Sequence, residues 1–319
     1  MTGSLTVPPL PWAAFHLPPW VDALKYIDIA ALGVVLLFIA LVALMRTVLP
    51  KTGAIAWVTA KEAVFQPLFL ILVLIGLFAL FLFPYIPYNT LGDDIKLLIM
   101  EGLTLIRLLT IFLAVWIASS SIADELDGKT ALMALSKPVG RPTFIAGKYL
   151  GVMLAVTALF LILGIFFLNT ISYKVVYDAR EMSKEVPSAI DCFEQVRKIL
   201  PGLILAYFET CLFGAIAVAV STRFSLLPNI TISLTIYLLG HLISVIVQSS
   251  VGQFAPVAFV ANLSSAVLPN LDPFSMETAI AMEKEITWSY VGACGLYMFL
   301  FCSFAFVVSL LLFEDRDLA

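Results

Sequence analysis

Long runs without a charged side chain, separated by short polar stretches, set the pattern of this chain. Asp28 and Arg46 bracket 17 such residues, Glu62 and Asp93 bracket 30, and Lys148 and Lys174 bracket 25. A helix needs about 20 apolar residues to cross the hydrocarbon core of a bilayer. The runs are continuous rather than alternating in stretches of about ten, which argues against membrane strands. They predict an all-α fold, a polytopic transmembrane helical bundle, with spans at about 28–46, 65–83, 97–120, 149–169, 200–221, 225–248 and 287–313. Pro84 and Pro87 break the chain after the second span. Glu101 and Arg107 fall in the third, Glu209 in the fifth and His241 in the sixth.

One stretch exceeds what a single helix can use. Phe224 to Leu271 is 48 residues without a formally charged side chain, cut by Gly252, Pro256 and Pro269. It predicts re-entrant or interfacial helices on the outer side before the last span, sheltered so that broken backbone stays satisfied. Residues 1–27, with five prolines among Trp12, Phe15 and Trp20, read as an extracytoplasmic interfacial segment. Ile55 to Phe65 reads as an amphipathic helix on the membrane surface.

Composition narrows the function classes. Of 319 residues, 61% are hydrophobic and 13% charged, against about 25% charged in a soluble domain. So few charges could not cover a surface in water, which excludes a soluble enzyme. A net charge of −4 gives no basic surplus for nucleic acid. The first 24 residues carry no Lys or Arg, so the first apolar run is not expected to be a cleaved leader. Cys192, Cys211, Cys294 and Cys302 have no metal or redox spacing and read as buried thiols. The sequons at Asn229 and Asn262 lie in apolar stretches and read as chance. His16 and His241 are the only histidines, too few for a histidine-rich metal site, and no motif marks catalytic residues.

Charge alone leaves orientation open. With 46–64, 121–148, 222–224 and the C-terminal tail inside, nine Lys/Arg face eight on the other side. Five of those eight lie in 170–200 with five acids, which reads as a small folded extracytoplasmic element; without it the bias is nine to three.

The stretch 122–148, IADELDGKTALMALSKPVGRPTFIAGK, carries the most information. Asp127-Gly128 makes a turn, Thr130 can cap a short helix, and Pro138 ends it. Leu132, Met133 and Leu135 give that helix an apolar side suited to a groove on another protein; an ordinary solvated loop is the plain alternative. Gly140 to Tyr149 is no phosphate loop: six residues separate the glycines where four are needed, and Tyr stands where Ser or Thr must meet magnesium.

The same run, E-L-D-G-K-T-A-L-M-A-L-S-K-P-V-G-R-P-T-F-I-A-G-K, resembles the cytoplasmic loop of type 2 ABC-transporter permeases that meets the ATPase subunit. Glu125, Thr130, Leu135, Ser136, Pro138, Val139, Arg141, Phe144, Gly147 and Lys148 carry the likeness. Ser221-Thr-Arg-Phe-Ser, Leu268-Pro-Asn-Leu-Asp-Pro-Phe and Leu312-Phe-Glu-Asp-Arg-Asp-Leu are similar to other signatures of that family. The resemblance spans about residues 55–319 and implies a six-span permease core, here with one extra N-terminal span. It implies that Glu125, Gly128, Thr130, Leu132, Met133, Leu135, Ser136, Pro138, Arg141 and Lys148 couple this chain to a cytoplasmic ABC ATPase. It also implies pairing with a second copy or a sister permease, in contact with membrane lipid. This chain would then bind no cofactor, ATP and magnesium belonging to the partner. The location implied is the bacterial inner membrane, with the N-terminus outside and the C-terminus cytoplasmic. The cargo is not named by these motifs. An ion-gradient-driven secondary transporter using Glu209, or a membrane-embedded enzyme or assembly factor, stands as the alternative.

Arg107, Glu209 and His241 sit at matched depth, roughly 10–15 Å from the outer ends of their helices. An isolated charge there costs at least about 2.5–3.5 kcal/mol. Arg107 is therefore expected to pair with Glu209, with His241 able to join, as a structural clasp or as a polar gate.

Overall fold

The computed structural model describes residues 18–86, 94–123, 140–248, 268–276, 279–280 and 284–314. Eight α-helices account for most of them: α1 (Pro19–Val48), α2 (Pro50–Phe65), α3 (Pro67–Leu82), α4 (Asp94–Ala118), α5 (Arg141–Glu181), α6 (Ala189–Ser221), α7 (Leu226–Gln248) and α8 (Trp288–Glu314). No strand occurs among the described residues. Six helical segments are long and apolar enough to cross a membrane, those at α1, α3, α4, α5, α6 and α8. The predicted span 225–248 is the helix α7, whose described apolar part, Leu226–Leu242, is shorter.

Prolines set several starts. Pro19, Pro50, Pro67 and Pro142 each lie in the first turn of a helix, where the missing N–H costs nothing. Leu49 and Gln66 leave helical geometry just before Pro50 and Pro67, so one run of chain becomes three helices. The chain enters α6 through Ser188, whose hydroxyl accepts from the Asp191 amide while the Asp191 carboxylate accepts from the Ser188 amide.

Two boundaries differ from the sequence expectation. The stretch 170–199 is not a separate folded element; it is the continuation of α5 to Glu181 and the start of α6 at Ala189, joined by 182–188. The charged side chains of these stretches do not end the helices that carry them. At 41 residues α5 is about 60 Å long, twice the roughly 30 Å apolar core. For the same reason α1 begins at Pro19 rather than Asp28, with Lys25 bonded to Asp22 at 2.9 Å and Asn169 donating to Asp28 at 3.4 Å.

The centre of the bundle is α6, which packs against α4, α5 and α8. On its other sides α5 takes α2, α3 and α4. Most large apolar side chains of α1, α3 and α8 stay exposed, the surface a bilayer would cover. The helix expected at 55–65 is longer, and its small residues are buried, Thr52, Ala56 and Thr59 toward α5 and Gly53 toward the end of α1. Close backbone approach through small residues is how membrane helices gain packing where no hydrophobic drive separates helix from lipid.

Candidate functional site

Two groups of polar residues stand out, one at the end of the bundle carrying residues 123 and 140, the other within it.

At the 123/140 end, α4 does not stop cleanly. Residues 119–123 widen into a π-turn, a form that leaves carbonyls in need of donors and recurs at functional positions. Lys148, 2% exposed, reaches across from α5 and donates to the Ser121 carbonyl at 3.0 Å. Its ammonium also lies 5.7 Å from the centre of the Phe144 ring. Asn229 of α7, fully buried, donates to Ser119 Oγ at 2.7 Å and to the Ala217 carbonyl at 3.1 Å, and accepts from Ser233 at 3.2 Å. Burial of Asn229 agrees with reading its sequon as chance.

The same short piece of α5 binds two further elements. A Cβ at Gly147 would stand 2.8 Å from Ile55, and one at Gly151 2.8 Å from the Ala56 carbonyl, so both glycines admit α2. Phe144 stacks on Phe313 near the end of α8 at 6.0 Å, and the Arg141 guanidinium lies 5.9 Å from the Phe313 ring. Within eight residues, then, α5 fastens α2, the end of α4 and the end of α8. The result is a braced frame from which residue 123 leaves and to which residue 140 returns. The residues expected to couple to an ATPase, Glu125, Gly128, Thr130, Leu132, Met133, Leu135, Ser136 and Pro138, lie in 124–139, outside the described residues. So do most of the predicted re-entrant segment, 249–267, and residues 1–17 of the interfacial segment.

Within the bundle, Arg107 of α4 and Glu209 of α6 form an ion pair, Nη1 to Oε2 at 3.2 Å, as their matched depth led us to expect. His241 of α7 joins on the other carboxylate oxygen, Nε2 to Oε1 at 3.6 Å. Glu209 is fully buried and Arg107 6% exposed. One turn along α4, Thr110 meets Thr210 of α6 hydroxyl to hydroxyl at 3.1 Å. A narrow cleft runs beside Arg107, lined also by Leu103, Thr104, Phe274 and Met276; its free volume of about 10 Å³ has room for about one water. The cleft is walled by the segment 268–276, which contains the Leu268-Pro-Asn-Leu-Asp-Pro-Phe run. Leu271 and Phe274 are buried, Leu271 seated against Gly240 and Met276 against Gly202. Tyr297 Oη accepts from the Asn270 amide at 2.9 Å and Tyr290 Oη donates to the Pro273 carbonyl at 2.9 Å, tying that segment to α8.

Sequence reasoning missed three fastenings. Tyr149 Oη donates to the Cys211 carbonyl at 3.2 Å, buried Lys174 donates to the Pro84 carbonyl at 3.1 Å, and Asn229 braces the π-turn. For the Lys148 region a signal was present: Gly147 and Gly151 are four residues apart, the spacing of close helix approach. Groups of three or more His, Cys, Asp or Glu able to hold a metal are absent among the described residues. Comparison with known proteins gives no match: no family model and no curated protein matches this chain.

Proposed function

We propose that this chain is the membrane-spanning subunit of an ATP-driven exporter of the type 2 ABC kind, working with a separate ATPase and as a pair of permease subunits. The observation that supports this most is the braced frame around 124–139. Lys148, Gly147, Phe144 and Arg141, all carriers of the motif resemblance, are the residues that fasten α4, α2 and α8 to α5. A polar segment of 16 residues is strung between two fixed points, with Leu132, Met133 and Leu135 as its apolar side. Such a segment is suited to receive force from a partner, because a push on it moves four helices, α2, α4, α5 and α8, as one body.

In this reading the segment docks by its apolar side into a groove of the ATPase, and ATP binding closes the ATPase pair. The frame then carries α4 and α5 with it. The Arg107–Glu209 pair and the Thr110–Thr210 contact pass that movement to α6. Glu125 steadies the flank of the docked segment. The test is Leu135→Asp. A buried anchor is worth about 2–4 kcal/mol when truncated, so the variant should insert normally yet fail to retain the ATPase encoded beside it on co-purification. Retention of both ATPase binding and transport in that variant would sink the docking role.

A further inference from the structure

The helix α1 is fastened to the bundle at its two ends and lies loosely between them. Near its start, Ala23 and Ile27 join the buried core, the Trp20 ring meets Tyr173 of α5 edge-on at 5.5 Å, and Asn169 of α5 donates to Asp28 at 3.4 Å. Near its end, the backbone at Arg46 closes on Gly53 of α2, where a Cβ would stand 3.0 Å from Arg46 Cα. Between these fastenings, the side that continues from Ala23 and Ile27 at steps of three and four is Ala31, Val35, Phe38, Val42 and Met45. Each is only half-buried, and none packs against the core. The inward side of α1 is therefore an apolar crevice that protein side chains cover in part.

One end of that crevice is basic. Asp28 and Arg46 lie about 27 Å apart along α1 at 1.5 Å per residue, close to the roughly 30 Å of a hydrocarbon core. With Asp28 at one face of the core, Arg46 falls at the level of the lipid phosphates on the other. Its guanidinium lies 4.8 Å from the centre of the Trp57 ring on α2, a cation–π contact that holds it in place. Lys61 stands one turn beyond Trp57 on the same face of α2. All three side chains are exposed, and no carboxylate among the described residues pairs with Arg46 or Lys61. Residues 46–65 carry Arg46, Lys51 and Lys61 against Glu62 alone. Glu62 stands about 100° round the helix from Lys61.

We infer that the corner between α1 and α2 binds a phospholipid of net negative charge. Arg46 and Lys61 hold the phosphate, Arg46 by parallel N–H donors. Trp57 sits at the interfacial level, where an amphipathic ring is at home. One acyl chain lies in the crevice along Val42 and Phe38. The lengths agree: half the hydrocarbon core is about 15 Å, which α1 covers in about ten residues, from Arg46 back to Leu36. The basic surplus selects an anionic lipid over a zwitterionic one, whose ammonium would meet the same positive groups. Such a lipid completes the packing that α1 lacks between its two fastenings. None of this depends on the chain being an ATPase-coupled subunit.

The test uses the full chain in mild detergent with no ATPase present. Native mass spectrometry counts bound lipid as phosphatidylglycerol or phosphatidylcholine is added. The first phosphatidylglycerol should be held more tightly than the first phosphatidylcholine. Arg46→Ala and Lys61→Ala should each weaken it about tenfold, the loss of one charge-assisted bond. Val42→Trp fills the crevice, leaves the basic groups in place, and should loosen the same lipid. Equal retention of the two lipids overturns the site, as does phosphatidylglycerol binding unaltered in both alanine variants. Tight binding that survives Val42→Trp shows charge acting without a seat for the chain, and overturns it too. Should Arg46→Ala not fold, Lys61→Ala, on an exposed face, decides alone. Disulfide-linked pairs of chains formed by Val42→Cys and not by the unaltered chain would put a second copy over the crevice and overturn the lipid. ATPase retention in Leu135→Asp is read separately, so either idea can fail alone.

Discussion

The Arg107–Glu209 pair joins α4 to α6 across 102 residues of chain, whereas Lys174–Asp178 closes within one turn of α5 at 2.8 Å. All four side chains are buried. In α5 the work is divided. Asp178 meets the charge of Lys174, and the link to another helix is a separate bond, Lys174 Nζ to the Pro84 carbonyl at the end of α3. An aromatic group, Trp20, Tyr85, Tyr173 and Tyr177, packs around that junction. In the inner cluster one contact does both jobs. Removing Glu209 takes away an α4–α6 link and a charge neutralisation together; removing Asp178 leaves the α3–α5 bond in place. Neutralising a charge and fastening two helices are thus separable tasks, and the bundle uses both arrangements.

The largest effect should come from the contact that does both. Arg107→Met or Glu209→Gln should each cost about 3–5 kcal/mol, the usual penalty for breaking a buried pair from one side, read as a lowered unfolding midpoint in detergent. The double variant should recover part of that loss; strictly additive losses would mean that the two side chains do not act as a pair. Lys174→Met should cost less, about 1.5–3 kcal/mol for a lost charged hydrogen bond, and Asp178→Asn less again. Equal costs at Lys174 and Asp178 would say that charge, not the Pro84 link, dominates there.

At the other end of α5, Lys148→Met removes the bond to the Ser121 carbonyl. A stability cost of similar size, about 1.5–3 kcal/mol, is expected. Under the proposed function it has a second signature: the ATPase stays bound while its hydrolysis no longer drives transport. Transport intact in Lys148→Met would show that the frame need not be rigid to pass movement on.

The spans were legible because a continuous apolar run of the right length admits few structures. The pairing of Arg107 with Glu209 was legible because depth can be counted along a helix at 1.5 Å per residue. Runs of charge were mistaken for helix ends, which is why 170–199 read as a separate element and the charges from Asp22 to Asp28 read as lying outside a helix. Buried lysines were the harder case. Lys148 and Lys174 look in sequence like markers of a bilayer edge, and each is 2% exposed because a carbonyl at the end of a neighbouring helix needs a donor. A demand of that kind belongs to a residue distant in the chain, Ser121 or Pro84, and has no periodicity to reveal it.

The smallest effect tests fastening without charge. Thr110 and Thr210 join α4 to α6 by neutral hydroxyls 3.1 Å apart, one turn from Arg107. Each hydroxyl also lies within bonding distance of a carbonyl of its own helix, Thr110 at 2.8 Å from Ile106 O and Thr210 at 2.9 Å from Ala206 O. A hydroxyl has one proton, so at most one of the pair can donate across while the other satisfies its own helix. Thr110→Val keeps the volume and removes at most that single cross-helix bond. Such bonds between membrane helices average about 0.6 kcal/mol. A drop several-fold smaller than that of Glu209→Gln is therefore expected in the same unfolding measurement. A Thr110→Val loss as large as the Glu209→Gln loss would mean that α4 and α6 are held by close packing at this level, with the charge of the neighbouring pair incidental to it.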